Sequence, residues 1–219
     1  MPAATPDRRI SWFTLLLAPV ICWSWINPLD RITWWLEAAP AVAGLVLLWW
    51  YRARFPLSTC LLLLIWLHSV LLLVGGHYTY AEVPLGDWVR DLTGGTRNNY
   101  DKLGHFFQGF VPAILSRELL IRTSPLGTTE WRSNSGWLGF VCVCVPLAFS
   151  AFYELLEWWA AVLGGEGADA FLGAQGYVWD TQSDMLLALI GALTALLCLS
   201  RVHDLSLQRV RNSIDESNP

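Results

Sequence analysis

The stretch DKLGHFFQGFVPAILSRELL, residues 101–120, decides how the whole chain is arranged. Its first eight residues hold four polar side chains, and an apolar run follows at once. Only residues 103–116 lack a formal charge, which is short for a helix that faces lipid on every side. Whether this stretch crosses a membrane sets the side on which every later segment lies.

The composition of the chain is that of a membrane protein. Of its 219 residues, 54% are hydrophobic and 15% are charged, whereas about a quarter are charged in an ordinary soluble domain. Its 14 tryptophans include pairs at the ends of apolar runs, a pattern typical of interfacial belts. We therefore expect an all-α, polytopic helical bundle whose partner is the lipid bilayer, and no nucleic-acid partner.

Six membrane spans are predicted, and together they form a single domain over residues 1–200. The first is interpreted as an uncleaved span, because 20 uncharged residues follow Arg9 and more apolar segments come later. The predicted spans cover about residues 10–29, 33–51, 55–75, 101–120, 136–163 and 181–200.

The remaining segments are a long outer loop and a polar tail. The loop covers residues 76–100, with Gly75-Gly76 and Gly94-Gly95 expected to mark its ends. Its WVRDL segment is predicted to form a short helix at the membrane interface. Residues 201–219 are expected to form a cytoplasmic tail.

The basic residues favour six spans over five. With six spans and the N-terminus inside, ten Arg or Lys residues lie on the cytoplasmic side and four on the outer side. Omitting the fourth span reverses these numbers. The positive-inside bias therefore predicts that both termini are cytoplasmic.

This topology brings the intramembrane polar residues of the last three spans to one depth, beneath the extracytoplasmic surface. Spacings of three or four residues place them on shared helix faces. Buried carboxylates must face one another, a cation or water rather than lipid. The predicted site contains Asp101, Lys102, His105 and Gln108 from the fourth span, Glu154 and Glu157 from the fifth, and Asp180 and Asp184 from the sixth.

Other residues in the spans have ordinary structural interpretations. His68, alone in a Leu-rich span, could join the site but is more often a core residue in such a setting. Arg117, Glu118 and Arg122 are interpreted as a charge cluster at the cytoplasmic interface. The small-xxx-small pairs Gly109/Ala113 and Gly191/Ala195 predict close helix packing, and the five cysteines are expected to be small buried hydrophobes.

Three blocks of the sequence resemble a known family. YDKLGHFFQGFVPAILSREL, YELLEWW and WDTQSDMLLALIGA are similar to the signature blocks of bacterial YjdF-type inner-membrane proteins, a family of unknown function. The resemblance implies a polytopic inner-membrane protein and no particular activity. A more distant similarity to VanZ-like membrane proteins rests on Asp101, Lys102, His105 and Phe106, and it implies cell-envelope chemistry.

Three functions are compatible with these residues. The first is an enzyme in which His105, Glu154, Glu157, Asp180 and Asp184 bind Zn²⁺, Mn²⁺ or Mg²⁺ and act on a lipid or lipid-linked substrate. A metal-free version would use His105, Glu154, Glu157 and Asp184 as acids and bases. The second is a cation- or proton-binding transporter or channel, and the third is a non-catalytic scaffold held by a polar lock.

Overall fold

A computed structural model describes residues 7–127, 136–164 and 175–217. Over these residues the chain forms α-helices and short 3₁₀ turns, without a β-strand. The helices are α1 (Arg8–Trp25), α2 (Arg31–Tyr51), α3 (Thr59–Tyr78), α4 (Pro84–Thr93), α5 (Tyr100–Thr123), α6 (Trp137–Gly164) and α7 (Asp180–Ser217). The prediction of an all-α fold is confirmed.

Four of these helices are long and apolar enough to cross a membrane. They are α2, α3, α6 and α7, and each matches one of the predicted spans. Helix α5 lies where the fourth span was predicted, but it has charged residues in both its first and last turns. Helix α1 ends at Trp25, earlier than predicted, because Pro28 disfavours helical geometry at Asn27, which takes a φ of 50°.

Side-chain caps fix where α2 and α3 begin. The carboxylate of Asp30 accepts a hydrogen bond from the Thr33 amide at 2.7 Å, and the Ser58 hydroxyl accepts one from the Leu61 amide at 3.2 Å. Each cap satisfies one of the free amides at the helix start. Helix α3 consequently begins at Thr59, four residues after the predicted start of the third span.

The segment between α3 and α5 contains the predicted interfacial helix. Helix α4 is amphipathic, with Leu85, Trp88 and Leu92 exposed on one face, and it ends at Gly94 in the left-handed conformation. The prediction for Gly94 is thus confirmed, but that for Gly76 is wrong. Gly76 lies inside α3 beside Trp34, where even a Cβ would make only ordinary van der Waals contact.

Helix α5 is the centre of the bundle and packs against α3, α6 and most extensively α7. A Cβ at Gly109 would collide with the backbone of Ala188, and a Cβ at Gly191 would collide with the backbone of Phe106. The predicted close packing of these small residues is confirmed. It brings the first half of α5 against the first half of α7.

Helix α7 continues well beyond residue 200, where the last span was predicted to end. The residues after this point were expected to form a polar tail, but His203 and Val210 are buried. The Ser206 hydroxyl also accepts a hydrogen bond from the Cys60 amide at 3.1 Å. These contacts keep the extension helical and packed beside the start of α3.

Candidate functional site

The polar residues predicted on three helices lie together at one end of the bundle. This cluster, called the His105 site, comprises Asp101, Lys102, His105 and Gln108 of α5, Glu154 and Glu157 of α6, and Asp180 and Asp184 of α7. The close contact of α5 with α7 through Gly109 and Gly191 makes this convergence possible.

His105 is at the centre of the site and only 5% exposed. Its Nε2 atom lies 3.4 Å from Asp101 Oδ1 and 3.7 Å from Glu154 Oε1. Two sets of three side chains, both of which include His105, offer ligand atoms within 4.8 Å of one another. One set adds Asp101 and Asp184, and the other adds Glu154 and Glu157. The donors are one imidazole and several carboxylates.

Lys102 neutralises one side of the site. Its Nζ atom lies 2.7 Å from Asp180 Oδ1 and 2.6 Å from Asp184 Oδ1, so it bridges two turns of α7. Arg97 Nη1 adds a contact of 2.8 Å to Asp180 Oδ1. Asp180 is thus an ion-pair partner of two cations, which makes it a poorer candidate for a metal ligand than Asp184.

Several polar atoms of the site are buried without a hydrogen-bond partner among the described residues. They are His105 Nδ1, Gln108 Oε1, Glu154 Oε1 and Ser150 Oγ. A buried polar atom without a partner costs about 1–3 kcal/mol, so such atoms are rare in a purely structural cluster. These atoms are free to accept or donate hydrogen bonds to groups other than the described residues.

A small cavity adjoins the site on the side of α2 and α3. Its volume is about 50 Å³, and its lining comes from four helices and the 3₁₀ turn after α3. The lining residues are Pro40, His68, Leu72, Tyr80, Asp101, Gly104, His105, Gln108, Tyr153 and Glu157. His68, predicted as a core residue, lines this cavity, and its Nε2 atom has no partner among the described residues.

Sequence reasoning missed Glu37 of α2. This residue is 1% exposed, and neither of its carboxylate oxygens has a hydrogen-bond partner among the described residues. It lies near enough to Asp101 for their charges to interact and close to the backbone of Tyr80, which places it beside the cavity. A lone acid inside an apolar helix was the signal that could have revealed it.

A second polar cluster lies at the opposite end of α5. Glu118 is fully buried and accepts hydrogen bonds from the Ser58 amide at 2.8 Å and from Arg122 at 3.0 Å on one oxygen. Its other oxygen lies 3.0 Å from His203 Nε2. His203 Nδ1 in turn lies 2.8 Å from Arg117 Nη1.

The Glu118 cluster is formed by Ser58, Arg117, Glu118, Arg122, His203 and Asp204. It ties the start of α3 to the end of α5 and to the interior of α7. Arg117 and Glu118 are therefore buried, rather than solvated at an interface as predicted. The sequence offered no sign of this, because His203 lay in the expected tail.

The long apolar helices around two buried polar clusters define a multi-pass α-helical membrane protein. A family model described as "Predicted membrane protein (DUF2238)" matches residues 9–205, so the chain belongs to this family. It is also 47% identical to the inner membrane protein YjdF of Escherichia coli (strain K12), over 89% of this chain and 90% of that protein.

These comparisons confirm the predicted resemblance to YjdF-type proteins and the location in the bacterial inner membrane. No solved structure matches the chain. The VanZ-like similarity and the role of each site residue stay predictions.

Proposed function

We propose that the His105 site binds a divalent cation and uses it in a reaction on a lipid or lipid-linked substrate at the outer surface of the inner membrane. The metal ligands and reactive groups would be His105, Glu154, Glu157 and Asp184. Asp101 would be a fifth possible metal ligand. The proposal includes six spans with both termini cytoplasmic, in which α1 and α5 cross the membrane with the four more apolar helices.

The main support for this proposal is the spacing of the potential metal-ligand atoms around His105. Distances of 3.4 and 3.7 Å between Nε2 and two carboxylate oxygens are longer than an ideal hydrogen bond. Ligands about 2.0–2.1 Å from a tetrahedral Zn²⁺ ion are separated by roughly 3.3 Å. The side chains therefore stand nearly as far apart as the ligands of one cation would.

The balance of charge supports a cation at the same place. Two permanent cations of the described chain, Lys102 and Arg97, contact the carboxylates of the site. Repulsion between close buried carboxylates is costly unless protons or a bound cation compensate for it. The described carboxyl groups at or beside the site are Glu37, Asp101, Glu154, Glu157, Asp180 and Asp184.

The surroundings suit a membrane substrate. Trp158 and Trp159 follow the two glutamates of α6, Trp179 precedes Asp180, and all three side chains are exposed. Exposed tryptophan is typical of the membrane–water interface, where a lipid headgroup would meet the site. A bound Zn²⁺ or Mn²⁺ ion would activate water for hydrolysis of the ester bond that joins this headgroup to the lipid. Glu154 or Glu157 would accept the proton of the water and return it to the oxygen that leaves.

A transporter is less well supported by the same structure. Between Gln108 and Ser116 the buried side chains of α5 are Val111, Ala113 and Ile114, besides Gly109. This apolar stretch separates the His105 site from the Glu118 cluster, whereas a proton or cation path needs polar groups or water along its length. A scaffold role would not require buried polar atoms without partners.

Metal binding is the first test. The full-length protein, purified in detergent and stripped with a chelator, should bind Zn²⁺ or Mn²⁺ in titration calorimetry. The variants His105→Ala and Glu154→Ala should lose this binding, whereas the control Glu82→Gln, an exposed acid on the same side, should keep it. Absence of binding by the unaltered protein would refute the cation site.

Activity and topology are tested separately. Incubation of the metal-loaded protein with E. coli polar lipid vesicles should release a water-soluble headgroup detectable by mass spectrometry, and Glu157→Gln should abolish the release. In a cysteine-free background, Thr96→Cys should react with an impermeant maleimide from the outer side and Arg211→Cys from the cytoplasmic side; both positions are exposed. Labelling of both from one side would contradict the six-span arrangement.

A further inference from the structure

The cavity beside His105 contains polar atoms that the cation site does not use. His105 Nδ1, Gln108 Oε1 and His68 Nε2 belong to residues that line it, and all three lack partners among the described residues. Two of them lie on α5 and one on α3, so the coincidence does not come from a single helix turn. The cavity gathers donors and acceptors that need a common partner.

Size and polarity together identify the occupant. One water molecule requires about 10–15 Å³ of such space and two to four polar partners. The cavity offers about 50 Å³ and three atoms that lack partners, so it has room for one or a few water molecules. Purely apolar cavities stay empty, and this one is not apolar.

Glu37 adds an independent observation from a third helix. It precedes Pro40, a lining residue, by one turn of α2, and it lies near Tyr80, Asp101 and Tyr153. These three residues also line the cavity. A buried carboxyl group without a partner therefore adjoins the same space, and water in that space could supply its hydrogen bond.

We propose that this cavity is a hydrated chamber whose ordered water bonds to His105 Nδ1, Gln108 and His68, and so orients the imidazole toward the cation. Gln108 and His68 are then positioning residues. Histidine ligands of metals usually donate their second ring N–H to a carboxylate, a carbonyl or water, and loss of that partner weakens metal binding about 10–100-fold. The expected effect on metal binding rests on the proposed cation site, but the presence of water in the cavity can be tested without metal.

Two variants distinguish the effect of the cavity space from the effect of the polar side chains that line it. Leu72 is an apolar lining residue, so Leu72→Phe would fill the space and leave every polar side chain intact. Leu63, on the same helix, is 65% exposed, and Leu63→Phe is the matched control for added volume in α3. Gln108→Leu removes one partner of the water without filling the space.

The experiment combines X-ray hydroxyl-radical footprinting in ¹⁸O water with Zn²⁺ titration of the full-length protein. Metal-free, unaltered protein should incorporate label at Tyr80, Tyr153 and His68, and Leu72→Phe should lose it while Leu63→Phe keeps it. Leu72→Phe and Gln108→Leu should each weaken Zn²⁺ binding about tenfold.

Unlabelled cavity residues in the unaltered protein would overturn the proposal, as would full Zn²⁺ affinity in a Leu72→Phe protein that has lost its label. If the unaltered protein binds no Zn²⁺, the proposed cation site is refuted, and so is the proposed role of the water in orienting His105 toward a cation. The footprint then still shows whether the chamber holds water.

Discussion

At one end of α5, both oxygens of Glu118 are hydrogen-bonded although the side chain is fully buried. At the other end, Glu154 keeps one buried oxygen without a partner, and Glu37 keeps two. Both regions contain buried carboxylates and a histidine, and both join several helices. They differ in whether the described residues supply hydrogen-bond partners for all of the buried polar atoms.

This difference distinguishes two kinds of buried polar cluster: a lock, which only holds helices together, and a site, which binds a ligand. A fully satisfied network specifies one packing of the helices, and removal of one member leaves the others buried and unpaired. A network with unpartnered atoms gives up stability in the isolated protein and retains positions for a ligand. We therefore expect changes in the Glu118 cluster to affect folding and changes in the His105 site to affect binding.

The largest effect is expected for Glu118→Ala. This change would leave Arg122, His203 and the Ser58 amide without their common acceptor. Breaking a buried ion pair in this way costs about 3–5 kcal/mol. The free energy of unfolding in mild detergent should fall by that amount, while Glu82→Ala should leave it unchanged. A stable Glu118→Ala protein would mean that this cluster is no lock.

Gly109→Ala should affect both properties, because it acts between the two regions. The new Cβ would collide with the backbone of Ala188 and push α7 away from α5. Overpacking of this kind costs about 1–3 kcal/mol and would also move Asp184 away from His105. Thermal unfolding and Zn²⁺ titration should both reveal the change. Gly44→Ala, at a position with open space, is the control and should alter neither.

Glu154→Gln should separate binding from folding. The amide keeps the shape of the side chain but removes a buried charge, so the free energy of unfolding should stay the same or rise. Zn²⁺ binding should weaken at least tenfold, which corresponds to about 1.4 kcal/mol. If stability instead falls with no change in Zn²⁺ affinity, the His105 site is a lock like the Glu118 cluster.

The smallest effect is expected for Lys102→Met. Lys102 competes with a bound cation for Asp184, whereas Asp180 would keep Arg97 as its partner. Removal of the ammonium group should therefore tighten Zn²⁺ binding several-fold in titration calorimetry. Arg90→Met, which removes an exposed ion pair on α4, should leave affinity unchanged. Weaker binding in Lys102→Met would show that Lys102 supports the ligand and does not compete with it.

Much of the His105 site was predictable because helix periodicity places residues three and four positions apart on one face. His105 and Asp101 share a face of α5, and the structure places them together. The same reasoning could not find Glu37 or the Glu118 cluster. Glu37 lies on α2, which contributes no residue to the predicted site, and two of the three hydrogen-bond partners of Glu118 lie 60 and 85 positions away in the chain.

The sequence by itself determined the class of the protein, its membrane location and the set of polar residues that meet at one end of the bundle, because apolar runs and helix spacing are local properties. Only the tertiary structure decided which polar atoms find partners. Helix rotation and the close approach at Gly109 and Gly191 set those distances, and they depend on packing between segments far apart in the chain. The Glu118 cluster, where both carboxylate oxygens are hydrogen-bonded, and the His105 site, where several atoms lack partners, thus differ through packing, although both contain carboxylates, a histidine and basic residues.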